Sequence, residues 1–240
     1  MTTGLTYAQY VTQIATLAVV EETDAAFVTI LPQMITYAEN RIYRDVDFLV
    51  TSTSVTGNTL TAGNRVLTVA AGTVVVTEQI NIITPVGTVN PDAGTRNPCL
   101  PVTKEYLDMI YGNSAATYRG MPTLFCPFND NVFYFGPVPD QTYSVEIVGT
   151  YRPASLSASN TSTFISLYLP DLLIMASMIY VSGYQRNFGR SNDDPQMAVT
   201  YESQYQALLK SAVMEEVRKK FESVGWSSMS VSPAASPSRS

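Results

Sequence analysis

Histidine is absent from this 240-residue sequence, and there are only two cysteines, Cys99 and Cys126. Without histidine, neither a Ser-His-Asp nor a Cys-His relay can be built, so these catalytic classes are excluded. A zinc site needs about four cysteine or histidine ligands. We therefore expect no catalytic residue, no metal and no cofactor. A disulfide between the two cysteines stays possible, but reduced thiols in an intracellular assembly site are the simpler interpretation.

Charge is also scarce, at 14% of the residues, and the net charge is −6. Because a free monomer usually carries more ionic groups, part of this surface is expected to face other proteins. The only basic cluster, Arg218 to Lys220, is better explained as cations at a helix end than as a phosphate-binding patch. A nucleic-acid-binding module is therefore disfavoured. The sequence shows no run of eighteen apolar residues and no signal-peptide pattern, which argues against membrane spanning and secretion.

Helical periodicity dominates the first 48 residues. Thr6 and Gln9 have the spacing of a capping box and predict a helix over 6–19. A second helix is predicted over 24–47, which Pro32 either kinks or restarts. The predicted helix has an apolar stripe formed by Phe27, Leu31, Ile35, Ala38, Ile42 and Val46. Its opposite face is polar and carries Glu39, Asn40, Arg41 and Arg44.

The character of the chain changes after Phe48. Residues 49–102 contain eleven threonines, many valines and four charged residues. Their alternating apolar positions predict short strands. The predicted turns are Gly57–Asn58, Gly63–Asn64 and Ala71–Gly72. Further along, the sequence predicts a short helix near 103–112 capped by Thr103, and strands over 123–128, 132–135 and 143–151.

Two more helices are predicted over 168–186 and 195–221, the second after Asp193-Asp194-Pro195. The serine-rich residues that follow cannot bury enough apolar surface to offset their ordering entropy. The predicted fold class is α+β, with terminal helices packed as a bundle, an inserted β-rich region and an extended C-terminal tail. The expected parts are 1–48 with 164–222 for the bundle, 49–163 for the β-rich insertion, and 223–240 for the tail.

Several short motifs occur in an order that is typical of one protein family. They are Leu31-Pro32, Ala38-Glu39-Asn40-Arg41-Ile42, Gly120-Met121-Pro122, Val132 to Pro139, Tyr151-Arg152-Pro153, and Leu169-Pro170-Asp171-Leu172-Leu173. Over residues 5–222 the chain thereby resembles the head-to-tail connector adaptor proteins of short-tailed, podovirus-type double-stranded-DNA bacteriophages. Within these motifs, the resemblance assigns structural roles to Pro32, Ala38, Glu39, Arg41, Pro170 and Asp171.

The resemblance implies a structural virion protein, assembled in the host cytoplasm and placed at the head-tail junction without contact with a membrane. Its subunits would form a ring of twelve beneath the capsid portal. The β-rich region would meet the tail nozzle or other tail proteins, and DNA would only pass through the channel. The C-terminal tail would bind the portal protein, and its apolar anchors are Val224, Trp226, Met229 and Val231.

We expect the channel surface to be acidic or neutral, so that DNA slides past. A pore lined by Arg41, Arg44 and Arg190 would contradict that expectation.

A second function class stays open at this point, a tail-associated peptidoglycan hydrolase. Glycoside cleavage needs only two carboxylates at a set separation. The candidate groups are Glu105 with Asp108, and Glu21 and Glu22 with Asp24. Acidic residues near the start of a helix also favour the helix dipole. We therefore interpret both groups as structural and do not expect an enzyme.

Overall fold

The structure, a computed structural model, describes residues 4–185 and 197–227, and the side chains of 4–182 and 198–220. The helices of that part are α1 (Tyr7–Ala18), α2 (Ala25–Asp45), α3 (Lys104–Tyr111), α4 (Phe164–Tyr168), α5 (Pro170–Gln185) and α6 (Met197–Ser227). The strands are β1 (Ser52–Leu60), β2 (Val66–Thr68), β3 (Val76–Thr84), β4 (Thr95–Pro101), β5 (Leu124–Asn129), β6 (Val132–Gly136) and β7 (Tyr143–Thr150). The predicted α+β class is confirmed.

The chain divides into two compact units. The helical unit contains the described residues before Thr51 and after Arg152, and the β unit is Thr51–Arg152. The predicted insertion, 49–163, therefore ends about a dozen residues beyond the β unit of the structure. Residues 153–163 pack with the helices because their polar groups bond to α2, as described below. The last helix also runs further than predicted, to Ser227, which makes the first five residues of the predicted tail helical.

In the helical unit, α5 is the central element. It is apolar apart from Asp171 and a few small polar residues, and it packs against α1, α2 and α6. Large apolar side chains from all four helices fill the core between them. The buried members of this core include Tyr10, Phe27, Ile35, Ile42, Leu173 and Tyr205.

Local signals at the start of the chain agree with the structure. The predicted capping box is present, since the backbone N–H of Thr6 donates to Gln9 Oε1 at 3.0 Å and the Gln9 N–H donates to Thr6 Oγ1 at 3.4 Å. In α2, the N–H groups of Ala26 and Phe27 both donate to the Asp24 carboxylate at 2.9 Å. These bonds satisfy backbone donors that have no partner within the first turn.

Pro32 is not in the first turn of a helix, in contrast to the sequence-based interpretation. It lies in the eighth position of α2, which continues from Ala25 to Asp45. A proline there removes one backbone hydrogen bond of the helix. Burial of Phe27, Leu31 and Ile35 stabilises the helix on the two sides of the proline.

The second Leu-Pro pair behaves differently. The helix predicted over 168–186 begins at Pro170, and Leu169, whose φ of −132° and ψ of 47° are not helical, separates it from α4. The short helix α4 was not predicted. Pro170 is then the first residue of α5, where a missing N–H costs nothing. The predicted helix start at Asp193-Asp194-Pro195 lies outside the described residues, and α6 is described from Met197.

The β unit contains a seven-stranded sheet in the order β1-β7-β3-β4-β5-β6-β2. Neighbouring strands are antiparallel except β4 and β5, which are parallel and are connected through α3. The sheet packs around an apolar core of its own. That core is formed by Leu60, Leu67, Val69, Ile80, Ile82, Cys99, Phe125, Phe133, Phe135, Tyr143, Val145 and Ile147.

The turn predicted at Gly57–Asn58 is wrong. Both residues lie inside β1, where the pairing with β7 shifts between Val55 and Asn58. Gly57 has a φ of +83°, a conformation that favours glycine. The glycine therefore marks a bulge within one continuous strand rather than a connection between two strands.

Candidate protein-binding site

Glu39, which the periodicity placed on the polar face of α2, is buried, with only 2% of its surface exposed. Its carboxylate accepts hydrogen bonds from the backbone N–H of Leu156, at 3.1 and 3.3 Å to its two oxygens, and from Thr163 Oγ1 at 3.2 Å. The Ser155 side chain also bonds to it. Burial raises the pKa of Glu39, and these hydrogen bonds oppose part of the rise. Glu39 thus ties the segment returning from the β unit to α2.

Arg41 joins α2 to α6. Its guanidinium donates to both carboxylate oxygens of Glu202, at 2.6 and 2.8 Å, and lies 4.3 Å from the ring centre of Tyr205. The Tyr205 hydroxyl in turn donates to Asp45 at 2.7 Å. The hydrogen bond from Arg41 lowers the pKa of Glu202. This two-point pairing fixes the relative position of the two helices.

The remaining motif residues have structural positions as well. Ala38 is fully buried, in the apolar stripe of α2. Asp171 lies in the first turn of α5 and accepts from the backbone N–H of Leu172 at 2.9 Å. Together with Pro32 and Pro170, these residues shape helices rather than form a pocket.

The proposed portal-binding residues are only partly described. Val224 and Trp226 lie in the last turns of α6, whose backbone is described to Ser227. Met229 and Val231 lie outside the described residues, as does Arg190. Of the other two arginines that would line a DNA-capturing pore, Arg44 is exposed and Arg41 is occupied by Glu202.

Among the carboxylates of the hydrolase alternative, Asp108 lacks the environment that general acid catalysis needs. Asp108 is bonded to Lys104 at 2.6 Å and to Arg65 at 2.8 Å, and these cations lower its pKa. A glycosidase acid instead needs a raised pKa, so that it carries a proton to donate. Of the second group, Asp24 is occupied as the cap of α2, and Glu21 and Glu22 are exposed next to it.

The β unit contains a charged cluster around the buried Glu146 that the sequence did not predict. Glu146 on β7 is buried and accepts bonds from Ser54 Oγ, Asn81 Nδ2 and Arg96 Nε, each at 2.8–2.9 Å. Arg96 also pairs with Asp92 at 2.7 Å. Although burial acts to raise the pKa of Glu146, the bonds from Arg96, Asn81 and Ser54 outweigh it and lower the pKa. Each of these side chains has a hydrogen-bond partner within the cluster, so the cluster stabilises the packing of the strands.

No group of three potential metal ligands is found among the described residues. Cys99 and Cys126 are both buried and free, and burial raises the pKa of Cys99 to about 12, which keeps it as an unreactive thiol. Within the described part of the chain, no helix is long and apolar enough to cross a membrane.

Exposed apolar side chains are the remaining feature that indicates binding. In the β unit, α3 buries Leu107 and turns an apolar face to solvent, where Met109 is 75% exposed. Beside it lies a cleft of about 400 Å³ that Tyr118 also lines. In the helical unit, α1 carries no charged residue at all, and between Ala25 and Asn40 the only charge of α2 is the buried Glu39. Such surfaces are typical of proteins that work inside an assembly.

Comparison with known proteins agrees with this picture. The family described as SU10 adaptor protein matches residues 5–231, which include both units and all of the described helices and strands from α1 to α6. No curated protein matches the sequence. Adaptors of this family are structural proteins of the phage virion that interact with other virion proteins. The chain therefore belongs to the SU10 adaptor protein family and is a phage structural adaptor.

Proposed function

We propose that this adaptor forms a closed ring at the head-tail junction, the twelve-membered ring that the resemblance implies. The ring joins the capsid portal to the tail and continues the DNA channel. The observation that carries the proposal is the family match over nearly the whole chain, including both units. It makes the two units parts of one adaptor, rather than a binding domain attached to an unrelated protein. Assembly in the host cytoplasm before incorporation into the virion belongs to the same proposal.

The exposed surfaces indicate which part of the subunit binds which partner. Helix α1 and residues 25–40 of α2 expose surfaces without charged side chains. Such surfaces favour lateral contacts between subunits, because little charge has to be desolvated. The apolar face of α3 is available to the tail nozzle or to other tail proteins. Beyond the charged part of α6, the segment from Val224 onward would bind the portal protein, with Trp226 as its main anchor.

DNA is proposed to be only a passing occupant of the ring. The net charge of −6 makes the protein as a whole repel the duplex. Among the arginines of α2, Arg41 is neutralised by Glu202. A like-charged or neutral channel lets DNA pass without being held.

The experiment that tests the function is reconstitution with the portal protein of the same phage. Purified adaptor should bind portal rings stably, and the complex should then bind tail proteins that the portal alone does not bind. An adaptor that leaves portal rings unoccupied at any concentration would refute the proposal. A lysis assay on peptidoglycan separates the alternative class, for which we expect no activity because Asp108 is held as a paired carboxylate.

A further inference from the structure

An apolar patch with acidic flanks surrounds the turn between α1 and α2. Val19 is 73% exposed and Val28 is 51% exposed, and Leu17 is exposed beside them. Glu21 and Glu22 lie in the turn itself, both exposed and without an ion pair in the described part of the chain. We call these five residues the acidic patch. Exposed aliphatic side chains grouped around one turn are characteristic of a contact surface.

A second patch with the opposite charge lies on α6. Lys210, Met214, Val217 and Arg218 are spaced by four, three and one residues, so they share one face of the helix. Met214 is 54% exposed, and the two cations form no ion pair with any described residue. Glu215, on the same helix, is already paired with Lys219 at 2.9 Å. We call these four residues the basic patch.

A single subunit does not bring the two patches together. Both α1 and α6 pack on α5, and within the described part they have no comparable contact with each other. The cations that α6 uses inside the subunit are different ones, since Lys219 bonds to Glu216 and Lys220 pairs with Asp47. Among the residues that the structure describes, no acid therefore occupies Lys210 or Arg218, and both are available to a second subunit.

We propose that the acidic patch of one subunit docks on the basic patch of a second copy of this chain. The two patches have opposite charges, two acids against two bases, and each has an aliphatic centre that excludes water from the contact. Like patches repel each other, so the contact joins different surfaces of two subunits. Repetition of such a heterologous contact closes a ring when the rotation allows it. The inference rests on the proposed ring and names the surfaces that build it.

Charge reversal tests the docking directly. The variants Lys210→Glu with Arg218→Glu, and Glu21→Lys with Glu22→Lys, each place like charges opposite one another. Each should raise the adaptor concentration needed for half-assembly by at least roughly tenfold, a loss typical of close interfacial charge pairs. A chain carrying all four changes should assemble within roughly threefold of wild type, because the attraction is restored with its signs exchanged. Assembly is measured as particle mass against concentration, alone and with portal rings.

A matched control separates the effect of the patches from the effect of net charge. Glu78→Lys with Glu105→Lys changes the net charge as much as the change at Glu21 and Glu22, at two exposed positions of the β unit. It should assemble like the wild type. Equal loss in this control, or a fourfold variant no better than the two reversals, would overturn the proposal.

The outcomes also separate this inference from the proposed function. If all reversal variants still form rings like the wild type, the docking surfaces are wrong and the adaptor function stands. If the reversals spare self-assembly but abolish portal binding, the patches bind the portal instead, which also overturns the inference. A wild-type protein that never assembles, with or without portal rings, refutes both.

Disulfide trapping gives a second readout that does not depend on affinity. Glu22→Cys and Arg218→Cys are prepared as separate single variants, whose native cysteines are buried and do not compete. A mixture of the two should form crosslinked dimers on mild oxidation, whereas each variant alone should give far fewer. Equal crosslinking in all three samples contradicts the assigned contact.

Discussion

At the scale of single residues, two buried glutamates have pKa values shifted in opposite directions, because their hydrogen-bond donors differ in charge. Glu146 has Arg96 beside it, and its pKa is lowered. Glu39 has only uncharged donors, from Leu156, Thr163 and Ser155, and its pKa is raised by burial. The contribution of Glu146 to stability is therefore lost as pH falls through its lowered folded pKa, whereas Glu39 favours folding more strongly once it is protonated.

The variant Glu39→Gln tests this difference. In the window from the ordinary glutamate pKa of 4.5 up to the raised folded value, the folded wild type binds more protons than its unfolded chain. Its stability should therefore rise as pH falls through that window. The Gln variant lacks this gain, so the stability difference should grow in favour of wild type as the pH falls toward 4.5.

Urea unfolding between pH 4.5 and 7.5 measures that difference. Glu105→Gln, at an exposed position of α3, is the control for removing one negative charge. Glu39→Ala should instead lose about 1–3 kcal/mol at every pH, because the Leu156 N–H is left without an acceptor. Parallel pH profiles for wild type and Glu39→Gln would show that the carboxyl does not titrate differently in the folded state.

At the scale of helices and strands, Pro32 offers the clearest test. Its missing N–H leaves α2 one hydrogen bond short in its interior, and the residue is exposed. Pro32→Ala restores the donor, so it should stabilise the protein by on the order of 1–3 kcal/mol. Thermal unfolding checks this, and Pro170→Ala is the comparison, since Pro170 begins α5 and should change stability little. A destabilised Pro32→Ala variant would mean that the ring of the proline contributes packing of its own.

These two prolines also show how far the sequence predicts the fold. Three helices begin where the sequence predicts them, because a capping side chain marks each start. The caps are Thr6 for α1, Asp24 for α2 and Thr103 for α3. Leu31-Pro32 and Leu169-Pro170 look alike locally, yet α2 continues past the first proline whereas α5 begins at the second. Both prolines are flanked by buried side chains, so neither the local pattern nor burial distinguishes the two outcomes.

Contacts between residues far apart in the sequence also explain why parts of the candidate site could not be predicted. The burial of Glu39 depends on Leu156 and Thr163, which are 117 and 124 residues away. Helical periodicity therefore placed it on the wrong face. The charged cluster of Glu146 was missed for the same reason, since Ser54, Asn81 and Arg96 come from three separate segments. By contrast, the low charge of the surface helices was visible in the composition.

At the scale of the whole molecule, the C-terminal segment provides a test of portal attachment. Removing residues 228–240 keeps the described part of α6, and removing 223–240 also deletes its last turns. Both truncated proteins should keep the helical unit folded, as measured by circular dichroism and thermal unfolding. Portal attachment should be lost with the longer deletion and weakened with the shorter one, because Trp226, the proposed main anchor, lies within 223–227.

Trp226→Ala should reproduce much of that loss, with portal affinity at least roughly tenfold weaker. Tyr168→Ala removes an exposed aromatic residue of α4 and is the matched control. If the truncated chains join portal rings with unchanged affinity, the portal contact lies elsewhere on the molecule. Loss with the longer deletion alone would place the anchors within residues 223–227.

The most direct test of the central claim is the number and arrangement of adaptor subunits on the portal of the same phage, determined by electron cryomicroscopy of the reconstituted complex. A single closed ring of adaptors, twelve if the resemblance holds, should sit coaxially on the portal and continue its channel, with neighbouring helical units in contact. Adaptors bound singly around the outside of the portal, or a complex whose central channel is blocked by the adaptor, would contradict the account.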